Sequence, residues 1–267
     1  MCFDLDSHPP IPPIEGGAVD VEELVIRADD GGRFAALMAR AEQPSGAGII
    51  VLPDVRGLHP YYEELALRFA EAGIDALALD YFGRTAGIGI RERPTDFDFM
   101  THIGETRFSN LGWDIQAAAE RLRALGGDRV RAIFTIGFCF GGRLAFMTPT
   151  LGLGLAGAIG FYGWPVGQGR NDIPAPADST GLMRSPVLGI FGGADQGIPV
   201  EAVETFEEAL SAAGVPNSIH VFPGAPHSFF DRKAEDYQQA SADAWDRVLE
   251  FIHANTPPAQ SHGADRD

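Results

Sequence analysis

The sequence predicts an α/β protein in which helices cover both faces of a mostly parallel central sheet. Residues 48–52 form a short, continuous apolar segment, which is typical of a strand buried on both faces. Residues 60–73 follow with helical length and end at a glycine, and residues 74–79 return to the strand pattern. A strand, a helix and a second strand in succession indicate parallel strands joined by a right-handed crossover.

The same alternation continues along the chain. Residues 21–28 and 33–41 flank the turn sequence Asp29-Asp30-Gly31-Gly32, which predicts a β-hairpin ahead of the first crossover. The predicted strands after the hairpin are residues 48–52, 74–79, 130–138, 155–162, 186–191 and 217–222. The predicted helices are residues 60–73, 110–125, a segment that begins at Phe140, 200–213 and 236–253.

Four stretches fall outside this alternation. Residues 1–20 centre on Pro9-Pro10-Ile11-Pro12-Pro13 and predict an extended arm on the surface. Residues 80–107 mix aromatic and charged side chains without a regular period, and long irregular segments in compact domains are often functional. Residues 163–183 predict a Gly/Pro-rich loop, and residues 255–267 a flexible polar tail. We therefore expect a single domain over residues 21–254.

The composition limits the partners of the protein. Its 267 residues include 20 basic and 37 acidic side chains, so the net charge of −17 would repel nucleic acid. No apolar run reaches membrane-spanning length, and the N-terminus lacks the layout of a signal peptide, so no membrane association is expected. Cys2 and Cys139 do not make a disulfide framework, which favours a cytoplasmic location with reduced thiols. The oligomeric state stays open.

One short segment carries the strongest chemical signal, Gly137-Phe138-Cys139-Phe140-Gly141-Gly142. It joins a predicted strand to a predicted helix, as a nucleophile elbow does, with Cys where Ser is better known. Small neighbours are needed because the strained turn brings the strand and helix backbones close together. The helix N-terminus favours a thiolate at Cys139, and the Phe140 N–H would face a reacting carbonyl. The alternative is a buried core cysteine.

Two further polar side chains follow predicted strands. Asp195 ends the turn Gly192-Gly193-Ala194-Asp195, and His227 closes the loop after residues 217–222. Because the carboxyl ends of parallel strands meet at one edge, Cys139, Asp195 and His227 should converge there. Nucleophile, acid and histidine in this order are typical of the α/β-hydrolase fold.

Each of the three residues has a predicted task. Cys139 attacks a carbonyl, His227 takes the thiol proton and later activates water, and Asp195 orients His227. The alternatives are a turn or capping aspartate and an ordinary loop histidine. The rival histidines are His59, His102 and His220, none of which follows a strand in the required order.

The loop Pro53-Asp54-Val55-Arg56-Gly57-Leu58, after the strand at residues 48–52, is expected to complete the site. A backbone N–H near Val55 would be the second donor to a reacting oxyanion. The Asp54 carboxylate would contact Cys139 and keep its thiol neutral until substrate binds. The alternative is that Asp54 only caps the helix that follows.

These segments resemble the dienelactone hydrolase family of carboxymethylenebutenolidase-like α/β-hydrolases over about residues 20–254. The resemblance rests on the Cys139 elbow, Phe161-Tyr162-Gly163, Gly192-Gly193-Ala194-Asp195 and His227-Ser228-Phe229. It implies a Cys-Asp-His triad that hydrolyses a lactone or small ester with no cofactor or metal. Two positions depart from the family pattern: Asp54 stands in place of a glutamate, and Arg56 in place of an aromatic residue.

The type members of the family hold a substrate carboxylate with arginines, which suggests the same task for arginines here. The candidate substrate contacts are Arg56, Arg84, Arg107, Tyr162 and Arg232, with Arg91 and Arg93 also in the irregular stretch. Arginine suits bidentate recognition of a carboxylate. The alternative is that these arginines pair with nearby acidic side chains.

Three other functions are compatible with the sequence. A generalist carboxylesterase or acyltransferase would use the same residues on other substrates or acceptors. A non-catalytic ligand-binding protein on the same scaffold is disfavoured by the complete set of Cys, Asp and His. A redox-sensing thiol is disfavoured because no resolving cysteine stands near Cys139.

Overall fold

An eight-stranded sheet forms the centre of the structure, a computed structural model that describes residues 6–14 and 19–259. The strands are β1 (Val19–Arg27), β2 (Arg33–Ala41), β3 (Ala47–Leu52), β4 (Asp75–Leu79), β5 (Ala132–Phe138), β6 (Gly157–Phe161), β7 (Val187–Gly192) and β8 (Asn217–Phe222). The helices are α1 (Pro60–Glu71), α2 (Phe99–Glu105), α3 (Phe108–Gly126), α4 (Phe140–Met147), α5 (Val200–Ala212) and α6 (Gln238–Ala254).

The sheet is mostly parallel, as the sequence predicts. Its strand order is β1-β2-β4-β3-β5-β6-β7-β8. β2 runs opposite to the other strands and pairs antiparallel with both β1, its partner in the predicted hairpin, and β4. All pairings from β4 to β8 are parallel. The strand that leads to Cys139, β5, therefore lies in the interior of the sheet between β3 and β6.

Apolar residues of the helices pack on the sheet in two buried clusters. One cluster contains side chains of α1, α5 and α6, including Leu65, Phe206 and Trp245. The other contains side chains of α3, including Ile115 and Leu122. This division confirms the predicted layered architecture. In the part of the chain that the structure describes, no helix is long and apolar enough to cross a bilayer.

The loops at one edge of the sheet bring the candidate residues together. Cys139 follows β5, Asp195 lies three residues after β7, and His227 lies five residues after β8. The loop that contains Asp54 and Val55 follows β3, the parallel neighbour of β5. Since these strands point the same way, all four loops leave the sheet at its carboxyl edge.

The prediction of a long irregular stretch over residues 80–107 was wrong at α2. This helix has seven residues, too few to display the apolar periodicity that identifies longer helices. Asp98 caps it, since its carboxylate accepts a hydrogen bond from the Thr101 N–H at 3.2 Å. Short 3₁₀ turns also interrupt the two predicted loops, at Ile90–Glu92 and Ala177–Leu182.

A buried ion pair fixes the stretch before α2 to the sheet. Asp80, directly after β4, is fully buried and accepts bidentate hydrogen bonds from Arg93 at 2.9 and 2.6 Å. The Arg93 guanidinium also lies over the rings of Phe82 and Phe97, 5.2 and 4.9 Å from their centroids. Paired charge and aromatic faces together compensate for the removal of this cation from water.

The described part of the N-terminal arm lies against α1 and the segment that follows His227. The Arg232 N–H donates to the His8 carbonyl at 2.9 Å, and its guanidinium donates to the Pro9 carbonyl at 3.1 Å. His8 contacts Glu64 of α1 at 2.6 Å, and Ile11 is buried. Residues 1–5 with Cys2, residues 15–18 of the predicted arm and residues 260–267 of the predicted tail lie outside the described residues.

The two arginine pairs of residues 90–93 should differ sharply in their contribution to stability. Arg93→Ala leaves the buried Asp80 carboxylate without its partner, so we expect the free energy of unfolding to fall by about 3 kcal/mol. The matched control is Arg91→Ala, which removes an exposed pair with Glu23 and Glu63 and should cost less than about 1 kcal/mol. Urea denaturation of both variants measures the difference. Equal losses of unfolding free energy in the two variants would show that the buried Asp80–Arg93 pair contributes no more to stability than the exposed pair.

Candidate active site

Cys139 occupies a strained turn between β5 and α4. Its φ of 54° and ψ of −110° are unusual for a residue with a side chain, and such strain costs on the order of 1–3 kcal/mol. Its N–H donates to the Phe161 carbonyl of β6 at 3.0 Å, which holds the turn against the neighbouring strand. The thiol thereby stands at the beginning of a helix, where positive backbone charge favours an anion.

The glycines around Cys139 are required by backbone contacts. A Cβ atom at Gly137 would lie 1.9 Å from the Gly141 carbonyl oxygen, and one at Gly141 would lie 2.1 Å from the Leu52 carbonyl oxygen. A Cβ atom at Gly142 would lie 2.4 Å from the Phe161 carbonyl oxygen. The helix therefore crosses the ends of β3 and β6 at a distance that leaves no room for a side chain, as the elbow pattern predicts.

Asp195 and His227 form a hydrogen-bonded pair. The Nδ1 atom of His227 lies 2.6 Å from Oδ2 of Asp195. The other carboxylate oxygen of Asp195 accepts hydrogen bonds from the N–H groups of Gly197 and Ile198, at 2.8 and 3.2 Å. The imidazole also packs against Tyr162, with 4.9 Å between the ring centroids. These contacts fix the orientation of His227 from two sides.

The surroundings of Asp195 favour its ionised form. Burial alone would raise the pKa of this carboxyl group. The hydrogen bond and charge of His227 and the two backbone N–H donors outweigh the effect of burial, so the pKa of Asp195 lies below its ordinary value. The carboxylate is therefore negative at neutral pH and suited to hold a protonated imidazole.

Cys139 and His227 line one cavity of about 460 Å³. This volume falls in the range of small-molecule sites. The lining consists of apolar, aromatic and a few polar residues: Val55, Cys139, Phe140, Arg143, Tyr162, Trp164, Gln168, Gly169, Arg170, Ile173, Gly197, Ile198 and His227. The predicted nucleophile, the predicted base, both predicted N–H donors and Tyr162 therefore share one cavity.

Phe140 and Val55 stand at positions that suit oxyanion donors. Phe140 is the first residue of α4, where the helix provides no carbonyl acceptor for the backbone N–H. Val55 lies in the loop after β3 and lines the same cavity. Two N–H groups from separate loops can thus converge on one substrate oxygen.

Asp54 is fully buried beside this cavity. Its Oδ1 accepts a hydrogen bond from the Arg56 N–H at 2.8 Å and lies 3.8 Å from Nε2 of His59. Its Oδ2 has no hydrogen-bond partner in residues 6–14 and 19–259. The alternative role as a helix cap was wrong, because His59 is the N-cap of α1 and no side chain makes a capping bond there.

Tyr81 places Asp54 and Cys139 in one electrostatic neighbourhood. Its hydroxyl donates to the Pro53 carbonyl at 2.7 Å. Burial raises the pKa of Tyr81 well above its ordinary value, and the negative charges of Asp54, Asp80 and Cys139 raise it further. Asp54 and Cys139 therefore both lie within electrostatic range of the Tyr81 hydroxyl.

The candidate arginines have other partners, and none of them lines the cavity. Arg84 pairs with Asp30 and Asp114, both at distances of 2.8 Å or less. Arg232 pairs with Glu64 at 2.7 Å and holds the N-terminal arm.

The other arginine candidates also point elsewhere. Arg107 pairs with Asp172 at 3.5 Å and donates to two nearby carbonyls, and Arg56 lies 5.7 Å from the ring centroid of Phe99. Arg107 therefore agrees with the alternative that these arginines pair with nearby acidic side chains, whereas Arg56 has an aromatic neighbour and no acidic partner among the described residues.

Two other arginines line the cavity and were missed in the sequence. Arg143 is four residues after Cys139, so the helical repeat places both on one face of α4. That spacing is a signal from which Arg143 could have been found. Arg170 lies in the Gly/Pro-rich loop, where no periodicity indicates the direction of a side chain.

The rival histidines lie away from the cavity. His59 is buried beside Asp54, and His102 stacks on Phe97 with 4.8 Å between ring centroids. His220 lies within β8 and contacts the Ser218 hydroxyl at 2.8 Å. Burial, with a further contribution from Arg247, lowers the pKa of His220 below its ordinary value. None of the three contributes to the lining around Cys139.

Known proteins resemble this chain in sequence and in fold. Residues 34–256 match the sequence profile of the dienelactone hydrolase family. A Salmonella typhimurium protein, provisionally named a carboxymethylenebutenolidase, is 32% identical over 254 residues, which are 92% of this chain and 89% of that protein. The carboxymethylenebutenolidase of Rhodococcus opacus is 27% identical over 266 residues, 94% of this chain and 96% of that protein.

Solved structures agree with these relatives. A Klebsiella pneumoniae protein, provisionally named a dienelactone hydrolase, superposes with a TM-score of 0.76 at 27% identity, covering 88% of this chain and 98% of that one. An esterase of Pyrococcus furiosus superposes with a TM-score of 0.62 at 16% identity, over 86% of this chain and 91% of that one. These likenesses confirm the predicted α/β-hydrolase fold.

The lowered pKa of Asp195 predicts a pH-dependent contribution to stability. A carboxyl group with a depressed pKa in the folded chain stabilises it fully above the unfolded-state pKa, and this is lost as pH falls through the folded-state pKa. We therefore expect the difference in unfolding free energy between wild type and Asp195→Asn to shrink from about pH 5 to about pH 3. Urea denaturation across this range measures it, with exposed Asp246→Asn as the control. A difference that grows toward acid would contradict the assignment.

Proposed function

The chain belongs to the dienelactone hydrolase family, and we propose that it hydrolyses a lactone or small carboxylic ester through Cys139, His227 and Asp195. Family membership makes it a hydrolase that acts on esters or lactones. One observation carries the assignment of residues. Cys139, on its strained elbow, and His227, held by Asp195, line the same small-molecule cavity. The substrate is accordingly a small molecule.

The proposed reaction proceeds through a thioester. His227 takes the proton of the Cys139 thiol, and the thiolate sulfur bonds to the ester carbonyl carbon. The tetrahedral oxyanion collapses, the carbon–oxygen bond to the leaving alkoxide breaks, and the imidazolium returns its proton to that alkoxide. His227 next takes a proton from water, and the resulting hydroxide attacks the thioester. The carbon–sulfur bond then breaks, the imidazolium returns its proton to the departing thiolate, and release of the carboxylic acid leaves the resting thiol.

The remaining residues serve this cycle in two ways. The N–H groups of Phe140 and Val55 would donate to the oxyanion, which is where negative charge develops. Asp195 would stabilise the His227 imidazolium in both halves of the reaction, and its lowered pKa supports that role. Four of these five residues line the cavity, and the fifth, Asp195, is hydrogen-bonded to His227.

Asp54 is proposed to modulate the resting thiol. Its second oxygen has no hydrogen-bond partner within the described part of the chain, and both Asp54 and Cys139 lie within electrostatic range of the Tyr81 hydroxyl. A carboxylate in this position would compete with His227 for the thiol proton. The nucleophile would then stay neutral, and less prone to oxidation, until a substrate enters.

Arg170 is proposed to bind an acidic group of the substrate. It is exposed, lines the cavity and has no acidic partner in residues 6–14 and 19–259. The arginines first suggested by the sequence already have partners or lie outside the cavity, so Arg170 takes over the predicted task. A cation at the mouth of the site would draw an anionic ester to a protein whose net charge is −17.

Removal of the nucleophile should abolish hydrolysis while the fold remains. In Cys139→Ala we expect the kcat for p-nitrophenyl acetate to fall by several orders of magnitude, up to about a millionfold as in a serine protease. The matched control is Cys2→Ala, which changes the other cysteine of the chain. Circular dichroism verifies folding. A folded Cys139→Ala protein with full activity would disprove the proposed mechanism, and acyl transfer to added alcohols would reveal a transferase instead.

Substrates with a free carboxylate should be preferred through Arg170. In Arg170→Gln we expect KM for an acidic aryl ester to rise about tenfold, or about 1.4 kcal/mol, while KM for its neutral analogue stays constant. Arg107→Gln is the control, since Arg107 is also exposed but does not line the cavity. Initial rates at low and moderate salt provide both constants. If the two esters respond equally, Arg170 does not read the substrate charge.

A further inference from the structure

Arg143 is surrounded by backbone carbonyls of one loop segment. Its Nη1 donates to the carbonyls of Trp164 and Val166, at 2.9 and 3.2 Å. Its Nη2 donates to the carbonyls of Gly167, Ile173 and Pro174, at 2.7, 3.2 and 2.8 Å. We name residues 164–174 the cavity wall. The guanidinium thus ties both ends of the cavity wall to the first turns of α4.

The charge of Arg143 is not paired with a contacting carboxylate. The side chain is 5% exposed, and the described residues contain no acidic group within ion-pair distance of it. Burial lowers the pKa of Arg143 to about 10, and only the more distant Asp178 acts in the opposite direction. Carbonyl dipoles must therefore offset the cost of burying this cation, which makes their arrangement energetically important.

The cavity wall fits tightly around this cation. A Cβ atom at Gly169 would lie 2.5 Å from Nε and 2.8 Å from Cζ of Arg143, and 2.7 Å from the Ile173 carbonyl oxygen. Glycine at this position is therefore needed for space. The wall closes over the guanidinium, and no other residue at position 169 allows the same approach.

A second contact holds the outer side of the cavity wall. The Asn171 side chain donates to the Thr106 hydroxyl at 2.8 Å and to the Ile103 carbonyl at the end of α2. Asn171 and Asp172 have φ angles of 65° and 59°, so the chain makes a left-handed turn there. The hydrogen bonds of Arg143, on α4, to the cavity wall and those of Asn171 to residues 103 and 106 together fix the position of the wall.

The cavity wall supplies much of the surface that a substrate would meet. Five lining residues belong to it, namely Trp164, Gln168, Gly169, Arg170 and Ile173. Their positions follow from the backbone that Arg143 holds. A shift of about 1 Å in such a surface can change a rate about a hundredfold.

We propose that Arg143 is a positioning residue that sets substrate specificity by holding the cavity wall beside Cys139. The inference rests on the proposed function, because it takes the cavity as the substrate site. Arg143 touches no reacting atom in this role. It connects α4, which begins directly after Cys139, to the cavity wall. The wall in turn selects the group attached to the reacting carbonyl. The two terminal nitrogens of the guanidinium reach five carbonyl acceptors from a planar fork, whereas a lysine ammonium has three donors on one nitrogen and no fork.

Two variants test this role from opposite sides of the same contact. Arg143→Lys keeps the cation but removes the fork, and Gly169→Ala keeps the arginine but displaces the wall. We measure kcat/KM for p-nitrophenyl acetate and the bulkier p-nitrophenyl benzoate, together with amide hydrogen exchange over residues 164–174. The controls are Arg184→Lys, at an exposed arginine that donates to the Gly181 and Met183 carbonyls, and Gly181→Ala, where an added Cβ meets open space.

We expect both test variants to change the ratio of the two kcat/KM values about tenfold or more, and to speed exchange in the cavity wall. Both controls should match wild type. An unchanged ratio or unchanged exchange in folded Arg143→Lys and Gly169→Ala would overturn the proposal. If Arg143→Lys does not fold, Gly169→Ala decides alone. Failure of the proposed function gives a different result, because Cys139→Ala would then keep the turnover of wild type. Hydrogen exchange over residues 164–174 would still test whether Arg143 holds the cavity wall.

Discussion

The close passage of α4 over the ends of β3 and β6 is the constraint on which the site depends. Backbone meets backbone there, so positions 137, 141 and 142 are glycine and Cys139 takes a left-handed conformation. This geometry places the thiol at a helix N-terminus and brings Phe140 into the cavity. Strain in one residue is tolerated because the buried sheet on both sides holds the turn.

The electrostatics of the molecule vary from its surface to its site. The chain carries an excess of acidic residues, and Arg84, Arg91 and Arg93 of the irregular stretch pair with carboxylates, which are buried at Asp114 and Asp80. Buried charges are each compensated differently: Asp80 by Arg93, Asp195 by His227 and backbone N–H groups, and Arg143 by carbonyls. Within the described residues, Arg170 keeps its charge available to the cavity.

The sequence predicted the architecture and the placement of Cys139, Asp195 and His227 because these features are local. Buried strands are recognised from their continuous apolar runs. In a parallel sheet the loops at the carboxyl ends of the strands lie at one edge, so the sequence alone predicts that these three residues lie close together. The arginines show the limit of that reasoning. Arg84 pairs with Asp30 and Asp114, which are 54 and 30 residues away in the sequence. No local sequence pattern indicates pairs between residues so far apart. The direction of Arg170 depends likewise on how Arg143 and Asn171 hold an irregular loop.

The contacts of the N-terminal arm have a consequence for the order in which the molecule is completed. They join His8 and Pro9 to Asp231 and Arg232, across 223 positions of the chain, and they end only four residues from His227. A growing polypeptide emerges from the ribosome with its N-terminus first, so the arm can meet α1 early, whereas its contacts with Asp231 and Arg232 form only after those residues are made. Closing so long a loop also costs chain entropy, which is recovered only after the core has formed. The segment that carries the proposed catalytic histidine is therefore among the last parts of the nascent chain to be secured.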